Sequence, residues 1–325
     1  MQTGSLKRHF IALLLLSASA LVGAQPAPGG SVKIMVGFPA GGAPDAVARA
    51  FADQLRLSSG ATVVVENRPG ASGKIAIDAL LAGPATGVTI AVIPSSVLAL
   101  VPQIVASAKY DSVRDFVTLG RIAEYGFGVA AGPASHATTV AAYKDWAKTH
   151  PKQSSYGTPG LGTPQHFLGA QLEKALAIDL THIPYKGGAA AVTDVIGGTV
   201  PLLITTEQLL VPYVTQGTLK ALLITSSQRN PKMPLVPTAL EAGLPQLEAT
   251  DWFGVFARAG TPTASVAEWR TLVMKVISAP KYQETMKSQG YTVPSTQPAD
   301  FAKLLAVERS GWAERVKVSG FTATD

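Results

Sequence analysis

In the first hundred residues, continuous runs of hydrophobic positions alternate with segments in which hydrophobic positions recur every four residues. Short apolar or β-branched runs, typical of buried strands, occur at residues 32–36, 62–65 and 89–93. After the first run, Val47, Phe51 and Leu55 fall on one face of a helix that begins near Asp45. A second helix is indicated near residues 75–82. Strands that alternate with helices in this way predict an α/β fold with a mostly parallel sheet.

The same alternation continues through the middle of the chain. Further strands are predicted at residues 116–120, 126–131, 181–184, 200–205 and 219–225. Helices are predicted around residues 140–148, 164–177, 192–196 and 207–216. An extended aromatic run at residues 251–258 then precedes two amphipathic helices near 264–278 and 299–318.

This order of elements predicts two α/β domains, each with a mostly parallel sheet and helices on both faces. Residues 25–130 form the first part of domain 1, residues 131–250 form domain 2, and residues 251–325 return to domain 1. Because the chain would cross between the domains twice, we expect the crossings to act as a hinge.

Residues 1–24 have the pattern of a signal peptide. Lys7 and Arg8 precede an apolar stretch, and Val22-Gly23-Ala24 forms a small-residue cleavage site. The stretch is too short and wrongly flanked for a stable membrane span, although an uncleaved anchor is the alternative. We therefore expect a protein exported to the periplasm.

Composition agrees with an exported, soluble protein. The chain contains no cysteine, so core packing rather than disulfides must stabilise it, and no lipid anchor can form near the cleavage site. Without Lys7 and Arg8 it carries 25 basic and 21 acidic residues, a net charge of +4. These charges are scattered, which argues against a nucleic-acid surface.

A stiff glycine-rich loop at residues 156–166, YGTPGLGTPQH, is the most informative stretch. Its glycines allow positive φ and close approach of a ligand, and its prolines fix φ. Thr163 is a suitable N-cap and Pro164 suits the first helical position. The loop would present unpaired N–H groups at the positive end of a helix dipole, which suits an anion.

A second segment repeats this design. The sequence GFPAGGAP at residues 37–44 connects a predicted strand to the helix that begins near Asp45. Either loop alone could be an ordinary strand-to-helix connection. Two such loops in one chain suggest two anion-binding helix starts that face each other across a cleft.

No catalytic or metal-binding motif accompanies these loops. The sequence has no G-x-S-x-G, H-E-x-x-H or Walker A motif, and the glycine spacing at residues 37–45 differs from the dinucleotide fingerprint. The histidines at 136, 150, 166 and 182 are too widely spaced for a metal pattern. The sequence therefore predicts neither an enzyme nor a metal or cofactor site.

Several single side chains allow two interpretations. Asp45 is explained by a favourable charge at a helix start, without a ligand. His166 falls in the first turn of a helix, where a neutral imidazole could brace the loop or reach a ligand; bracing is the simpler interpretation. Lys186 could pair with a carboxylate or be solvated. Trp252 and Phe253 could line an apolar cleft wall or belong to the core.

Five stretches together resemble the periplasmic solute-binding receptors of tripartite tricarboxylate transporters, the Bug or TctC-like proteins. They are GFPAGGAPD (37–45), ENRPGASG (66–73), SSYGTPGLGTPQHF (154–167), THIPYKGGAAAVTDVIGG (181–198) and DWFGVFARAGTP (251–262). The combination is specific and spans nearly the whole mature chain. The resemblance implies a two-domain periplasmic binding protein of the type II, Venus-flytrap class, which binds small carboxylates without catalysis.

The resemblance also implies a set of ligand-binding residues. The two glycine loops would hold one ligand carboxylate, largely through backbone N–H groups and ordered waters. In the first loop these residues are Phe38, Ala40, Gly41, Gly42, Ala43 and Asp45. In the second loop they are Tyr156, Thr158, Gly160, Gly162, Thr163 and His166. Lys186 joins the set because its ammonium could pair with a carboxylate.

Two departures from the family pattern bear on the ligand. Pro44 stands where Ser or Thr is usual, so the first loop lacks one hydroxyl and one N–H. Carboxylate binding would then be weaker or shifted towards the second loop. Val97 and Leu98 replace a common histidine, which favours an apolar or aromatic ligand body.

We therefore expect an exported, monomeric receptor that captures a small organic carboxylate. Its partners would be the membrane permease subunits of a tripartite tricarboxylate transporter. One alternative is a sensor subunit that presents its ligand to a signalling kinase. A more distant alternative is an exported hydrolase.

Overall fold

The structure is a computed structural model that describes residues 30–297 and 300–321. The signal peptide predicted for residues 1–24 lies outside the described residues. Within them, no helix combines the length and the apolar character needed to cross a membrane.

The strands and helices follow the predicted alternation. The strands are β1 (Ser31–Val36), β2 (Thr62–Asn67), β3 (Thr89–Pro94), β4 (Phe116–Ala131), β5 (Ser155–Thr158), β6 (Thr181–Pro184), β7 (Leu202–Thr206), β8 (Lys220–Ile224) and β9 (Thr250–Arg258). The helices are α1 (Ala43–Ser59), α2 (Lys74–Ala82), α3 (Ser95–Ala99), α4 (Val101–Ile104), α5 (Val140–Thr149), α6 (Pro164–Leu176), α7 (Gly188–Ile196), α8 (Glu207–Thr215), α9 (Thr263–Ile277), α10 (Pro280–Ser288) and α11 (Phe301–Ser319).

The strands form one sheet in the order β2-β1-β3-β9-β4-β7-β5-β6, with β8 also paired to β4. Strand β1 is parallel to β2 and β3, and β5 is parallel to β6 and β7. The pairs that involve β4 or β9 are antiparallel. The α/β class is as predicted, but the sheet is mixed rather than mostly parallel, because the two central strands run against their neighbours.

Strand β4 connects the two halves of the sheet. Its residues up to Gly126 pair with β9, and from Phe127 onwards it pairs with β7 and β8. We call β2, β1, β3, β9 and residues 116–126 the first half, and residues 127–131 with β7, β8, β5 and β6 the second half. The domain boundaries predicted from the sequence remain a prediction.

The sequence predicted two separate strands where the continuous β4 lies. Its glycines caused this error, since glycine in a strand pattern usually suggests a break. At Gly126 the glycine instead permits close packing, because a Cβ atom there would collide with the side chains of Glu207 and Ser226.

A buried carboxylate fixes the point where β3, β4 and β9 meet. Asp251 is 3% exposed and accepts hydrogen bonds from the hydroxyls of Ser95 (2.8 Å), Ser96 (2.5 Å) and Tyr125 (2.8 Å). It also accepts from the backbone N–H of Trp252 at 2.7 Å. A buried charge needs such partners to offset its desolvation, and here they come from three different strand regions.

An aromatic cluster continues the core across this junction. Tyr125 stacks on Phe253 with ring centroids 4.6 Å apart and meets Phe127 edge-on at 5.6 Å. These side chains belong to a core cluster that contains residues of both halves of the sheet. The halves are therefore joined by packing as well as by the backbone of β4 and β9.

Packing between α6 and β5 provides a test of the fold. At Gly169 in α6 a Cβ atom would collide with the ring of Tyr156, whose hydroxyl donates to the carbonyl of His166 at 3.0 Å. We expect Gly169→Ala to lower the free energy of unfolding by about 1–3 kcal/mol, as overpacking does. Chemical denaturation measures this change.

The matched control is Gly311→Ala in α11. A Cβ atom at Gly311 meets no atom within 4 Å, so alanine should raise the free energy of unfolding by about 0.5–1 kcal/mol through its better helix propensity. Equal effects of the two substitutions would contradict the packing described for α6.

Candidate functional site

A cavity of about 290 Å³ lies between the two halves of the sheet. Its walls come from the segments that follow the carboxyl ends of β1, β3, β5, β6 and β7. Ligands of open α/β sheets bind at such strand ends. The position and size of the cavity suit a small organic molecule.

Eight of the thirteen predicted site residues line this cavity. They are Phe38, Ala40, Gly41, Gly42, Ala43, Gly162, Thr163 and Lys186. The other five lie behind the loops and contact them. They are Asp45, Tyr156, Thr158, Gly160 and His166.

Asp45 holds the first loop in shape. Its carboxylate is 3% exposed and accepts hydrogen bonds from the Gly41 N–H at 2.9 Å, Arg49 Nε at 2.8 Å and Asn67 Nδ2 at 2.9 Å. Asn67 Nδ2 also donates to the carbonyl of Phe38 at 3.0 Å. Burial alone would raise the pKa of Asp45, but these hydrogen bonds outweigh it and the pKa is lowered.

The second loop is held by its own hydrogen bonds. The Gly162 N–H donates to His166 Nδ1 at 3.3 Å, and the hydroxyl of Thr163 donates to the carbonyl of Gly160 at 2.9 Å. The hydroxyl of Thr158 accepts from the Gly160 N–H at 3.3 Å. His166 thus contacts the loop through Gly162, and its assignment to the ligand-binding residues stays a prediction.

Two stacked histidines support this loop from behind. The rings of His166 and His182 lie 4.0 Å apart at an angle of 15°, and His182 Nε2 is 2.7 Å from the hydroxyl of Thr158. Burial lowers the pKa of His166 to about 4. Burial, together with the neighbouring His166, lowers the pKa of His182 to about 3. Both rings are therefore neutral at physiological pH.

Three helices start at the cavity without a side-chain cap. The N-cap residues of α1, α6 and α7 are Gly42, Thr163 and Gly187, and none of them makes a capping hydrogen bond through its side chain. The hydroxyl of Thr163 is directed to Gly160 instead. N–H groups of each first turn thus lack a helical acceptor and can receive an anion.

The charge of the lining also favours an anion. Among the described residues that line the cavity, Lys186 is the one charged side chain, and no carboxylate is present. Over residues 30–297 and 300–321, no group of three or more metal-binding side chains was found.

The remaining lining residues are largely apolar and were mostly missed from the sequence. They include Val97, Val101, Leu209, Tyr125 and Phe253, together with Thr205 and Thr206 at the end of β7. Of the two aromatic residues considered for the cleft wall, Phe253 lines the cavity. Trp252 packs on Phe256 in the core, because alternate residues of a strand face opposite sides.

The two halves of the sheet touch at the mouth of the cavity. The hydroxyl of Ser72, in the first half, donates to the carbonyl of Leu161 in the second loop at 2.9 Å. A Cβ atom at Gly162 would collide with Ile104 on α4. Ser72 has a left-handed backbone (φ +52°), a conformation that costs energy outside glycine. These contacts link the two halves of the sheet beside the cavity.

The second loop is also tied to the segment after β6. The Tyr185 N–H donates to the carbonyl of Thr158 at 3.0 Å, and the Gly187 N–H donates to the carbonyl of Pro159 at 2.9 Å. The starts of α6 and α7 are therefore fixed relative to each other.

The role of Asp45 can be tested by Asp45→Asn. The carboxylate accepts from Gly41 and Arg49 on Oδ2 and from Asn67 Nδ2 on Oδ1, whereas an amide has one acceptor oxygen, so we expect the free energy of unfolding at pH 7 to fall by about 1–3 kcal/mol. Because the folded pKa of Asp45 is lowered, its contribution is lost as the pH falls below its ordinary value of 3.8. The free energies of unfolding of the wild type and the variant should therefore become equal at acidic pH.

The control for this substitution is Asp53→Asn. Asp53 pairs with Arg56 on the exposed face of the same helix, and exposed pairs contribute little. A loss in Asp53→Asn as large as in Asp45→Asn would contradict a special role for the buried carboxylate.

The histidine stack predicts a loss of stability in acid. Unfolded histidines bind protons below about pH 6.5, whereas His166 and His182 stay neutral in the folded state down to about pH 4 and 3. The free energy of unfolding should therefore fall as the pH is lowered from 6.5 to 4. Urea denaturation across this range measures the effect. In the double variant His166→Asn/His182→Gln the free energy of unfolding should fall less between pH 6.5 and 4 than it does in the wild type. The exposed His150 serves as control, and a shallower fall in His150→Asn would overturn the assignment.

Solved structures of similar sequence share this fold. The Rpa4515 protein of R. palustris, solved with adipate, is 28% identical, has a TM-score of 0.87, and the match covers 92% of this chain and 100% of that one. MatC (Rpa3494) of Rhodopseudomonas palustris, with bound malate, is 27% identical with a TM-score of 0.80, over 89% and 99% of the two chains.

Sequence comparison leads to the same group. BugT of Bordetella pertussis (strain Tohama I) is 30% identical over 303 residues, which is 93% of each chain. Residues 47–320 match the family described as the tripartite tricarboxylate transporter family receptor, TctC. This family consists of solute-binding receptors, not enzymes, with the α/β fold of periplasmic binding proteins. The chain belongs to the TctC family of tripartite tricarboxylate transporter receptors.

Proposed function

We propose that this protein binds a small organic carboxylate in the cavity between the two halves of the sheet. The observation that carries the proposal is the meeting of uncapped helix starts in a cavity whose lining has one lysine and no acidic side chain. Helix starts offer N–H donors and a positive dipole end to an anion.

In this proposal the two glycine loops hold one carboxylate. The first loop supplies backbone groups of residues 38, 40–43 at the start of α1, and Asp45 keeps that loop in place. The second loop supplies Gly162 and Thr163, while Tyr156, Thr158, Gly160 and His166 keep it in place. Pro44 lines the cavity without an N–H, which places more of the binding on the second loop.

The energies of such contacts suit capture of a dilute solute. Charge-assisted hydrogen bonds contribute about 1.5–3 kcal/mol each. Two or three of them, with apolar burial against Val97 and Phe253, offset the cost of association and give micromolar or tighter binding.

Domain closure would accompany binding. We propose that the two halves of the sheet correspond to the two domains, with residues 25–130, 131–250 and 251–325 as their segments except for residues 127–130 and Thr250 at the crossings, and that β4 and β9 form the hinge. The contact of Ser72 with Leu161 would then form on closure. Two-strand crossings of this kind permit hinge motion around a ligand.

Membership of the receptor family supports the rest of the proposal. A monomeric protein exported through a signal peptide at residues 1–24 would release its solute to the permease subunits of a tripartite tricarboxylate transporter. The similar structures with adipate and malate support a carboxylate ligand.

Calorimetric titration tests the proposal directly. We expect at least one acid from a panel of aliphatic and aromatic mono- and dicarboxylates to bind with a dissociation constant in the micromolar range or below. The corresponding amides or alcohols should bind at least about tenfold more weakly, because they lack the charge. Absence of heat with every acid, from protein shown to be folded by circular dichroism, would defeat the proposal.

Gly162→Ala tests whether closure is needed. The added methyl would meet Ile104 across the cleft and would also strain the positive φ of +69°. We expect affinity for the acid identified above to fall by about tenfold or more. The Gly311→Ala variant should bind as the wild type does. Unchanged affinity in Gly162→Ala would show that the closed contacts do not contribute to binding.

A further inference from the structure

A second cavity, of about 370 Å³, lies between α11 and residues 248–250, where the chain enters β9. Its lining includes Glu248, Ala249, Thr250, Gly311, Trp312 and Arg315. We call it the α11 cavity. It shares no lining residue with the cavity between the two halves of the sheet, so it is a separate candidate site.

Arg315 brings a half-buried cation without a partner to the α11 cavity. Every other arginine among residues 30–297 and 300–321 makes a hydrogen bond or an ion pair, whereas none is found for Arg315 within that part of the chain. Its guanidinium lies over the ring of Trp312, 4.9 Å from the centroid. Burial lowers the pKa of Arg315, but a guanidinium keeps its charge in proteins. Its desolvation is not offset by a carboxylate, so the group is well suited to an oxyanion.

Glu248 brings an exposed carboxylate to the same cavity. It forms no ion pair with Arg315, so the nearest nitrogen and oxygen atoms of the two side chains are more than 4.0 Å apart. Glu308 is the other acidic residue in the lining. It already accepts a hydrogen bond from Trp252 Nε1 at 2.6 Å, and its Oε2 atom is closed off from solvent. Glu248 is therefore the acidic group that a solute can reach.

A cation and an anion held apart in one cavity suit a solute that carries both charges. A carboxylate alone would pair with Arg315 but would also face Glu248, and an amine alone would meet the reverse problem. A zwitterion can pair with both. The buried residues Trp312 and Ala249 add an apolar surface beside these charges. The first cavity differs in this respect, since its described lining has a lysine and no acidic residue.

We propose that the α11 cavity is a second binding site, which takes a small zwitterion of the α-amino acid class. Arg315 binds the carboxylate through paired N–H groups, Glu248 binds the ammonium, and the ring of Trp312 contacts the side chain. This site does not rest on the proposed function, because it uses no residue of the glycine loops.

Nuclear magnetic resonance of the mature protein with ¹⁵N-labelled tryptophan tests the site directly. Trp312 lines the α11 cavity, whereas Trp146 stacks on His150 in the second half of the sheet and serves as the internal control. The probes are L-alanine, L-leucine and L-phenylalanine. We expect at least one of them to shift the indole signal of Trp312 saturably, with a dissociation constant of about 1 mM or below, and to leave Trp146 unchanged.

Analogues of each probe separate the contributions of its two charges. Each amino acid is compared with the acid that lacks its amine and with the amine that lacks its carboxyl group; for leucine these are 4-methylpentanoate and 3-methylbutylamine. Both analogues should bind at the Trp312 signal at least about tenfold more weakly than the amino acid, since each loses one charge-assisted pair. Equal affinity of the amino acid and either analogue would overturn the zwitterion.

Arg315→Gln and Glu248→Gln each remove one charge from the cavity. We expect Arg315→Gln to weaken the amino acid by about tenfold or more. In Glu248→Gln the amino acid should lose its advantage over the matching acid. Arg309→Gln is the matched control, because Arg309 lies on the same helix and pairs with Asp111 outside the cavity lining. Circular dichroism checks that each variant is folded.

The remaining outcomes separate this site from the first cavity. No shift of Trp312 with any amino acid, or a shift that persists unchanged in Arg315→Gln, would overturn the site. The shift should survive when the acid identified by calorimetry saturates the first cavity; its loss would place the amino acid there and reject the α11 cavity. Tighter binding in Asp325→Asn would show that an acidic residue of the chain itself occupies Arg315, which would also reject it. Failure of the acid panel would leave this site standing, and failure of this site would leave the receptor function standing.

Discussion

The carboxylate of Asp251 is the constraint on which the arrangement of the site depends. It is buried where β3, β4 and β9 meet, and it binds hydroxyls from the end of β3 and from Tyr125 of β4. Removing one partner of such a network leaves a charge in a nonpolar surrounding, which is costly. Tyr125 donates its hydroxyl to this carboxylate, and Phe253 follows Asp251 by two residues on β9. Both aromatic residues line the cavity. The junction of the two halves of the sheet and part of the cavity wall are therefore the same piece of structure.

The two glycine loops reach rigidity by different means. The first is fixed by a charged carboxylate, Asp45, from the helix that it precedes. The second is fixed by neutral groups, the His166 ring and the hydroxyls of Thr158 and Thr163. A neutral imidazole behind the second glycine loop adds no charge to that part of the cavity lining. The backbone N–H groups then remain the main source of positive potential there.

Much of the fold could be predicted from the sequence, and the reasons are local. Strand and helix periodicity located most elements, since burial of one face imposes the spacing. The continuous β4 was missed because Gly126 is needed for a contact with Glu207, a residue far away in the sequence. The mixed sheet was missed because strand direction depends on topology rather than on local pattern.

The same limit applies to the candidate site. The two glycine loops could be identified because their backbone conformations require glycine and proline, which the local sequence shows directly. Asp45 and His166 could be associated with the two loops from the sequence because their contacts with Gly41 and Gly162 are short-range. Thr205 and Thr206 gave no local signal, because a threonine in a strand is ordinary. Only the three-dimensional fold reveals that both residues line the cavity.

The hydrogen bonds that join the second loop to the segment after β6 make one unit of two parts of the cavity lining. Since the starts of α6 and α7 are fixed to each other, the second half of the sheet keeps the spacing between these two helix starts by itself. Side chains exchanged in the second half would therefore alter the cavity lining at both helix starts without altering the first glycine loop.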